Sequence, residues 1–147
     1  MAAALPRAPF FQRGVNFTAE RGVRYGAPES MAMLEKLPAD GVNSIALVPY
    51  GFSGPGKPEV RIAGARGWES DEGIVALAKR AHALRLKVLL KPHVWSRSGF
   101  PGDLDYPNDA DRRQWFAQYR AFVEHYAKLA TTIGADLFCV GNEFVKL

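Results

Sequence analysis

Apolar runs alternate with amphipathic stretches along the chain, in the order strand, helix, strand, helix, strand, helix, strand. The predicted strands are residues 14–17, 43–48, 87–94 and 137–140. The second of these runs is continuously apolar, which is typical of a parallel strand that is covered on both faces. Because strands that alternate with helices form right-handed βαβ units, the pattern predicts an α/β fold with a parallel sheet.

Three amphipathic stretches between the strands predict helices. The first follows the N-cap candidates Glu29 and Ser30 and ends near residue 40. The second follows Ser70 and has apolar residues at helical spacing up to residue 84. The third follows Asn108, carries a broad apolar stripe, and is followed by Gly134, which suits the end of a helix.

Polar and aromatic residues gather where the predicted strands end. They are Asn16 after the first strand, Tyr50 after the second, Lys91, His93 and Trp95 around the end of the third, and Asn142 and Glu143 after the fourth. Two Gly/Pro-rich loops, residues 50–67 and 96–107, lie at the same edge, and loops of this length are usually functional. We therefore expect the site at the carboxyl ends of the strands, as in barrels and doubly wound sheets.

The pair Asn142-Glu143 is the strongest candidate for chemistry. It follows an apolar strand directly, so that the acid is carried on rigid scaffold. A carboxyl group in this position is suited to proton transfer, and the adjacent amide can hold a substrate hydroxyl. His93 is a second candidate because it lies at a strand end, whereas His82 and His125 lie on helices and are predicted to pack or to face solvent.

Composition narrows the classes of function. The chain has 147 residues, of which 48% are hydrophobic, and this fits one globular domain. Its formal charge is +4, but the basic residues are scattered, so no nucleic-acid partner is expected. No apolar run reaches the roughly 18 residues of a membrane helix, so no membrane partner is expected either. The single cysteine, Cys139, rules out an internal disulfide framework, and no cofactor is expected.

The compartment stays open. The first residues have no signal-peptide pattern. The protein is therefore either cytoplasmic or secreted with its natural N-terminus upstream of Met1.

Four segments together resemble the clan A glycoside hydrolases, which are (β/α)8 barrels, and among these the mannanase-type family 113 and its relatives. The segments are RGVNF at 13–17, GVNSI at 41–45, AHALRLKVLLKPH at 81–93 and GNE at 141–143. The resemblance covers nearly the whole chain in order. It implies an α/β fold of the TIM-barrel type, present as an N-terminal half-barrel with four parallel strands and three helices.

The resemblance also implies a retaining glycosidase mechanism on β-linked sugars, with β-mannan as a candidate substrate. Glu143 would be the general acid that protonates the leaving oxygen and then the base that activates water. Asn142 would hydrogen-bond the sugar 2-hydroxyl. The other strand-end residues would line the sugar subsites, namely His93, Trp95, Tyr50, Lys91 and Asn16, and no metal site is implied.

The family's nucleophile is a second glutamate at the end of strand seven, whereas this chain has four predicted strands. A complete barrel takes about 250 residues. We therefore expect residues 1–147 to be the N-terminal half of the catalytic domain, truncated after strand four and inactive alone. Besides an oligo- or polysaccharide substrate, its expected partner is a second copy or the missing C-terminal half, because a half-barrel leaves two strand edges open.

Two other functions remain open from the sequence. A metal-dependent sugar isomerase or epimerase barrel would use His93 and Glu143 as ligands and would recruit a third from Asp103, Asp105 or Glu20. A non-catalytic carbohydrate-binding half-barrel would leave Glu143 idle. A doubly wound nucleotide-binding domain is the least favoured, because its glycine fingerprint is missing.

Overall fold

The fold, taken from a computed structural model, is described for residues 10–20, 22–62 and 67–147. Its elements, in chain order, are β1 (Gly14–Phe17), α1 (Pro28–Lys36), β2 (Ser44–Leu47), β3 (Tyr50–Gly54), β4 (Lys57–Ile62), α2 (Asp71–Ala83), β5 (Lys87–Leu90), β6 (His93–Ser96), α3 (Asp109–Ile133) and β7 (Leu137–Phe138). Two short 3-10 helices cover Leu37–Asp40 and Pro101–Asp103. No helix in these described ranges is long and apolar enough to cross a membrane.

Four parallel strands form the main sheet in the order β1-β2-β5-β7. Every residue of β2 is buried, as its continuous apolar pattern predicts. The helices α1, α2 and α3 connect successive strands of this sheet. The predicted partial (β/α)8 barrel, with four parallel strands and three helices, is therefore confirmed.

The helix ends follow local chemistry. Ser70 caps α2 by accepting a hydrogen bond from the Gly73 N–H, and Asn108 caps α3, as predicted. Gly134 ends α3 in the left-handed conformation, with φ 63°. The predicted cap of α1 is wrong, because Ala27 is the N-cap and Ser30 lies inside the helix, where its hydroxyl donates to the Ala27 carbonyl.

The third predicted strand, residues 87–94, is divided into β5 and β6. Pro92 has no N–H to donate, so the ladder is interrupted there. Around the interruption the Lys91 N–H donates to Leu47 and the His93 N–H donates to Pro49, at 2.8 and 3.0 Å. The pairing therefore resumes without a change of register, and His93 lies opposite Tyr50.

The prediction that residues 50–67 form a loop is wrong for most of its length. This segment contains β3 and β4, an antiparallel hairpin that joins β6 to make a second, three-stranded sheet. The turn is Pro55-Gly56, with Gly56 at φ 67°, which matches the Pro and Gly positions of a type II turn. The high Gly and Pro content masks the strand pattern of β3, in which partly exposed residues alternate with buried ones.

The fourth strand ends at Phe138, two residues before the predicted end. The Cys139 N–H still donates to the Leu90 carbonyl, at 3.0 Å. The next carbonyl, that of Val140, instead accepts a hydrogen bond from the Tyr119 hydroxyl at 2.7 Å. The hydroxyl of Tyr119, on α3, thus takes the place of a strand-to-strand partner for the Val140 carbonyl, and the strand ladder ends before this residue.

The core lies between the sheets and the apolar faces of the helices. The predicted stripe of α3 is confirmed, since its aromatic residues Trp115, Phe122 and Tyr126 are buried. Under the second sheet the indole N–H of Trp115 donates to the Ser53 hydroxyl, and the Ser53 and Tyr106 hydroxyls lie 3.0 Å apart. Helix α3 therefore supports the hairpin as well as the strand that carries Asn142 and Glu143.

Candidate active site

Four of the predicted site residues meet at the carboxyl ends of the strands. The side-chain amide nitrogen of Asn142 lies 2.7 Å from Nδ1 of His93. Nε2 of the same ring lies 3.7 Å from Oε2 of Glu143. The ring of Tyr50 meets that of His93 edge to face, with centroids 5.6 Å apart. The segments that follow β2, β5 and β7 of the parallel sheet thus each contribute to one cluster.

The backbone that carries Glu143 is held in an uncommon conformation. Glu143 has φ 64°, in the left-handed region that non-glycine residues seldom adopt. The flanking residues are anchored, because the Tyr119 hydroxyl holds the Val140 carbonyl and the ring of Phe144 packs against Trp115 and Tyr119. The side chain of Glu143 is itself 45% exposed, so that it is open to a ligand.

Burial and negative charge act together on Tyr50. Its burial raises the pKa of its hydroxyl, and the carboxylates of Glu69 and Glu143 raise that pKa further. Burial also raises the pKa of Glu69, and a hydrogen bond from its own backbone N–H partly offsets this rise. Tyr50 is therefore a neutral phenol close to two acids.

The remaining predicted residues are placed differently. Trp95 lies on the same strand as His93, two residues further on, and is 44% exposed. Lys91 is partly buried in the interruption between β5 and β6. Asn16 lies in β1, at the opposite edge of the sheet from β7, and lines a separate cavity of about 260 Å³. Its part in sugar binding, like that of Lys91, stays a prediction.

A cleft of about 820 Å³ continues from the cluster and contains residues that the sequence analysis did not select. Of its main lining side chains, Tyr50 and Trp95 were predicted, whereas Phe52, Trp68, Glu69 and Arg97 were not. Its volume is in the range of ligand pockets, about 300–1,000 Å³. Two signals could have identified these residues: the alternation of Tyr50 and Phe52, and the position of Glu69 directly before the N-cap of α2.

The side chains near Glu143 do not form a metal-ligand set. Across residues 10–20, 22–62 and 67–147, no three His, Cys, Asp or Glu side chains come together as a candidate metal centre. Among the acids weighed as a third ligand, Asp103 pairs with Lys146 at 3.0 Å and Asp105 with Arg112 at 3.7 Å.

The other two histidines lie outside the site, as predicted. His82 pairs with Asp136 at 3.3 Å, and His125 pairs with Asp71 at 3.0 Å.

A partial (β/α)8 barrel with an Asn-Glu pair after its fourth parallel strand resembles the clan A glycoside hydrolases. The sequence profile of Glycoside Hydrolase Family 113 matches residues 14–147. The chain belongs to this family.

Solved structures agree with this assignment. The GH113 β-mannanase AaManA from Alicyclobacillus acidocaldarius, in complex with ManMIm, is 33% identical with a TM-score of 0.82, and the match covers 92% of this chain and 45% of that one. Two structures of a GH113 β-1,4-mannanase, one of them a complex, are 24% identical with TM-scores of 0.76 and 0.77, and share the fold. The match covers 92% of this chain and 47% of each of those. A comparison with curated proteins gave no match.

Proposed function

We propose that this chain supplies the acid/base half of a β-mannan hydrolase site. Glu143 protonates the leaving glycosidic oxygen and then, as a carboxylate, activates the water that releases the sugar. The observation that carries this proposal is the position of Glu143 after the fourth parallel strand, beside Asn142 and 3.7 Å from His93. Family membership supports glycoside hydrolysis, and the β-mannanases among its solved relatives support mannan as the substrate.

Asn142 holds the sugar 2-hydroxyl in this proposal. Its Nδ2 is committed to His93, but its Oδ1 is buried with no hydrogen-bond partner among the described residues. A buried acceptor without a donor costs about 1–3 kcal/mol. A small turn of the amide toward an incoming hydroxyl would recover part of this free energy, and the contact would strengthen as charge develops on the sugar ring.

His93, Tyr50 and Trp95 shape the sugar position next to Glu143. His93 lies between the acid and the amide, 2.7 Å from the amide nitrogen of Asn142 and 3.7 Å from Oε2 of Glu143. The neutral hydroxyl of Tyr50 can donate to a sugar oxygen, since its raised pKa keeps the proton in place. The exposed indole of Trp95 offers a flat apolar face to a pyranose ring. The proposed roles of Lys91 and Asn16 rest only on their sequence positions near the ends of predicted strands.

The second carboxylate comes from outside residues 1–147 in this proposal. Retaining hydrolysis needs two carboxyl groups roughly 5 Å apart, one of which is the nucleophile. The chain spans slightly less than half of the length of the solved mannanases that it matches, and its four parallel strands are half of a barrel. We infer that residues 1–147 form the N-terminal half of the catalytic domain and that a C-terminal half brings the nucleophile.

The experiment compares two proteins, the 147-residue chain and a chimera. In the chimera the chain replaces the matched part of the Alicyclobacillus acidocaldarius β-mannanase. We expect the chimera to release reducing ends from β-1,4-mannan and the chain alone to show no measurable hydrolysis. Glu143→Gln should lower the activity of the chimera on β-1,4-mannan by about 10²–10⁴. The matched control is Glu35→Gln, which changes an exposed acid of α1 that pairs with Arg80.

Two outcomes would contradict the proposal. Hydrolysis by the chain alone, lost in Glu143→Gln, would show that no second half is needed. A chimera whose activity survives Glu143→Gln unchanged would show that the acid/base lies elsewhere.

A further inference from the structure

The short 3-10 helix Pro101–Asp103 packs against the backbone of Glu143. Its first two residues, Pro101 and Gly102, are buried. A Cβ atom at Gly102 would lie 2.6 Å from the carbonyl oxygen of Glu143, well inside the 3.4 Å at which ordinary contact begins. It would also collide with the ring of Phe100. The backbone of the acid therefore occupies the space that a side chain at residue 102 would need.

The need for glycine at this position is one of space. Gly102 is not among the glycines with positive φ, whereas Gly99, in the same segment, has φ 121°. The backbone conformation of residue 102 is therefore open to residues with a side chain. The missing side chain matters because it permits the close approach of another part of the backbone.

The segment that carries this glycine is itself fixed to the second sheet. Tyr106 is buried, and its hydroxyl lies 3.1 Å from the carbonyl oxygens of both Gly54 and Lys57 in the hairpin. The Leu104 N–H donates to the Pro101 carbonyl at 3.1 Å, which closes the 3-10 turn. The surface that meets the acid is therefore anchored on both of its own flanks.

An ion pair joins the same 3-10 helix to the chain beyond the acid. Nζ of Lys146 lies 3.0 Å from Oδ1 of Asp103. Both side chains are exposed, so the pair adds little to global stability. Its effect is local, because Lys146 follows Glu143 by three residues. The 3-10 helix thus contacts the acid by packing and the following residues by charge.

The left-handed conformation of Glu143, with φ 64°, needs such contacts. A residue keeps an unfavourable backbone conformation only where its surroundings determine it. Tyr119 and Phe144 anchor the residues before and after the acid, whereas Gly102 meets the carbonyl of Glu143 itself. Because the backbone conformation sets the direction of the side chain, the same contact bears on the 3.7 Å between Glu143 and His93.

We propose that the 3-10 helix Pro101–Asp103 is the positioning element of the acid and that Gly102 is its decisive residue. Gly102 acts through Glu143, because it holds the backbone conformation from which Oε2 faces Nε2 of His93. A misplacement of about 1 Å in a reacting group can cost about a hundredfold in rate. This consequence for catalysis rests on the proposed function, whereas the contact rests on the geometry alone.

The first test is NMR of the 147-residue chain. In the wild type, Glu143 should show the strong NOE between its own amide and α protons that a positive φ produces. Gly102→Ala should weaken this NOE and displace the amide signals of residues 141–146. Gly54→Ala should change neither, because Gly54 lies outside the left-handed region and has open space where its Cβ would lie. Unchanged signals from β2 and β5 report that the fold is kept.

A second pair of substitutions leaves the buried glycine in place, and decides the question if Gly102→Ala does not fold. Asp103→Asn and Asp105→Asn each remove one exposed charge from the same segment, but Asp105 pairs with Arg112 instead of Lys146. Asp103→Asn should speed amide exchange at residues 143–146 about two- to fivefold, as for an exposed ion pair, and Asp105→Asn should not. Exchanging the two charges, by Asp103→Lys with Lys146→Asp, should restore the slower exchange.

The link to catalysis is tested in the chimera with two leaving groups. Gly102→Ala should lower the hydrolysis of β-1,4-mannan about a hundredfold. The burst of dinitrophenolate from a dinitrophenyl β-mannoside should stay within about tenfold of the parent chimera, because this leaving group needs no proton. General damage to the fold would lower both rates together, so equal losses would overturn the positioning role.

The NMR outcomes do not depend on hydrolysis, and they separate this inference from the proposed function. The inference is overturned if wild-type Glu143 shows the weak NOE of a negative φ, if Gly102→Ala leaves the Glu143 signals as unchanged as Gly54→Ala does, or if Asp103→Asn equals Asp105→Asn. Unchanged activity of the Glu143→Gln chimera would overturn the proposed function and keep the contact at Gly102. A chimera that loses mannan hydrolysis in Glu143→Gln but keeps it in Gly102→Ala would do the reverse.

Discussion

The side-chain amide of Asn142 lies 2.7 Å from Nδ1 of His93, although 49 residues separate them in the chain. The amide nitrogen can only donate, so Nδ1 accepts, and the neutral ring then carries its proton on Nε2. Nε2 is the atom that faces Oε2 of Glu143, at 3.7 Å. Asn142 therefore determines which ring nitrogen of His93 offers a proton to the acid.

The first prediction concerns this tautomer. When the imidazole ring of His93 is neutral, its ¹⁵N NMR spectrum should show an unprotonated Nδ1 and a protonated Nε2. Asn142→Leu removes the donor at similar volume, so we expect a mixture of both tautomers. His125, which pairs with Asp71 on the other side of the fold, should be unchanged and serves as the control. A wild-type His93 protonated on Nδ1 would contradict this orientation of the amide.

The second prediction concerns the anchor of the Glu143 loop. Tyr119→Phe removes the hydroxyl that donates to the Val140 carbonyl and keeps the ring stacked on Trp115. We expect a loss of about 1 kcal/mol in the free energy of unfolding, which is typical of one hydrogen bond. Amide exchange at residues 141–144 should become faster. Urea unfolding and hydrogen exchange measure the two effects.

Tyr126→Phe is the matched control, because Tyr126 lies on the same helix and donates to no residue that the structure describes. It should leave exchange at residues 141–144 unchanged. If Tyr119→Phe alters global stability but not local exchange, the hydroxyl is structural and does not hold the acid.

The third prediction concerns pH. Burial would raise the pKa of Asp136, but hydrogen bonds from Lys87, the Val88 N–H and His82, with the charge of Lys87, lower it below its ordinary value of 3.8. A lowered folded-state pKa stabilises the fold above 3.8, and this stabilisation is lost as the pH falls from there through the folded-state value. Asp136→Asn should therefore cost about 1–3 kcal/mol at neutral pH.

Urea unfolding from neutral to acidic pH checks this effect. The curves of wild type and Asp136→Asn should converge at low pH, because both side chains are then uncharged. The exposed Asp40, at the end of a 3-10 helix, provides the control substitution Asp40→Asn, which should follow the wild type throughout. A constant difference between wild type and Asp136→Asn at every pH would contradict the assignment.

The fourth prediction concerns self-association of the chain. The parallel sheet ends at β1 and β7, and an open edge strand pairs readily with another chain. Val15 on β1 is partly exposed, so Val15→Lys should raise the monomer fraction in sedimentation velocity. Met33→Lys changes an exposed residue of α1 instead and should not. A wild type that stays monomeric at all concentrations would show that these edges do not pair.

Much of the fold could be predicted because its signals are local. Ser70 and Asn108 cap the helices that they precede, and the continuous apolar run of β2 has the burial that it predicts. Asn142 and His93 could be expected at one edge, since parallel strands end together. Their hydrogen bond could not be predicted, because it depends on how the chain turns after Phe138.

The errors have physical causes as well. Composition alone suggested a loop at residues 50–67, whereas the pairing of Phe52 with Trp95 and the support of Ser53 by Trp115 form a strand. Pro92 removes one donor and divides a run that periodicity treats as continuous. Glu69 was not predicted as a site residue. The feature that distinguishes it is its burial, which raises its pKa and depends on packing between segments that are distant in the chain.

The central claim is that Glu143 is the acid/base. The most direct test compares how much Glu143→Gln slows two substrates that differ in their leaving group. In the chimera, Glu143→Gln should lower the hydrolysis of β-1,4-mannan by about 10²–10⁴, because the poor leaving group needs a proton. The initial burst of dinitrophenolate from a dinitrophenyl β-mannoside should stay within about tenfold of the parent chimera, because this leaving group departs without one. An equal loss on both substrates, or no loss on either, would contradict the claim.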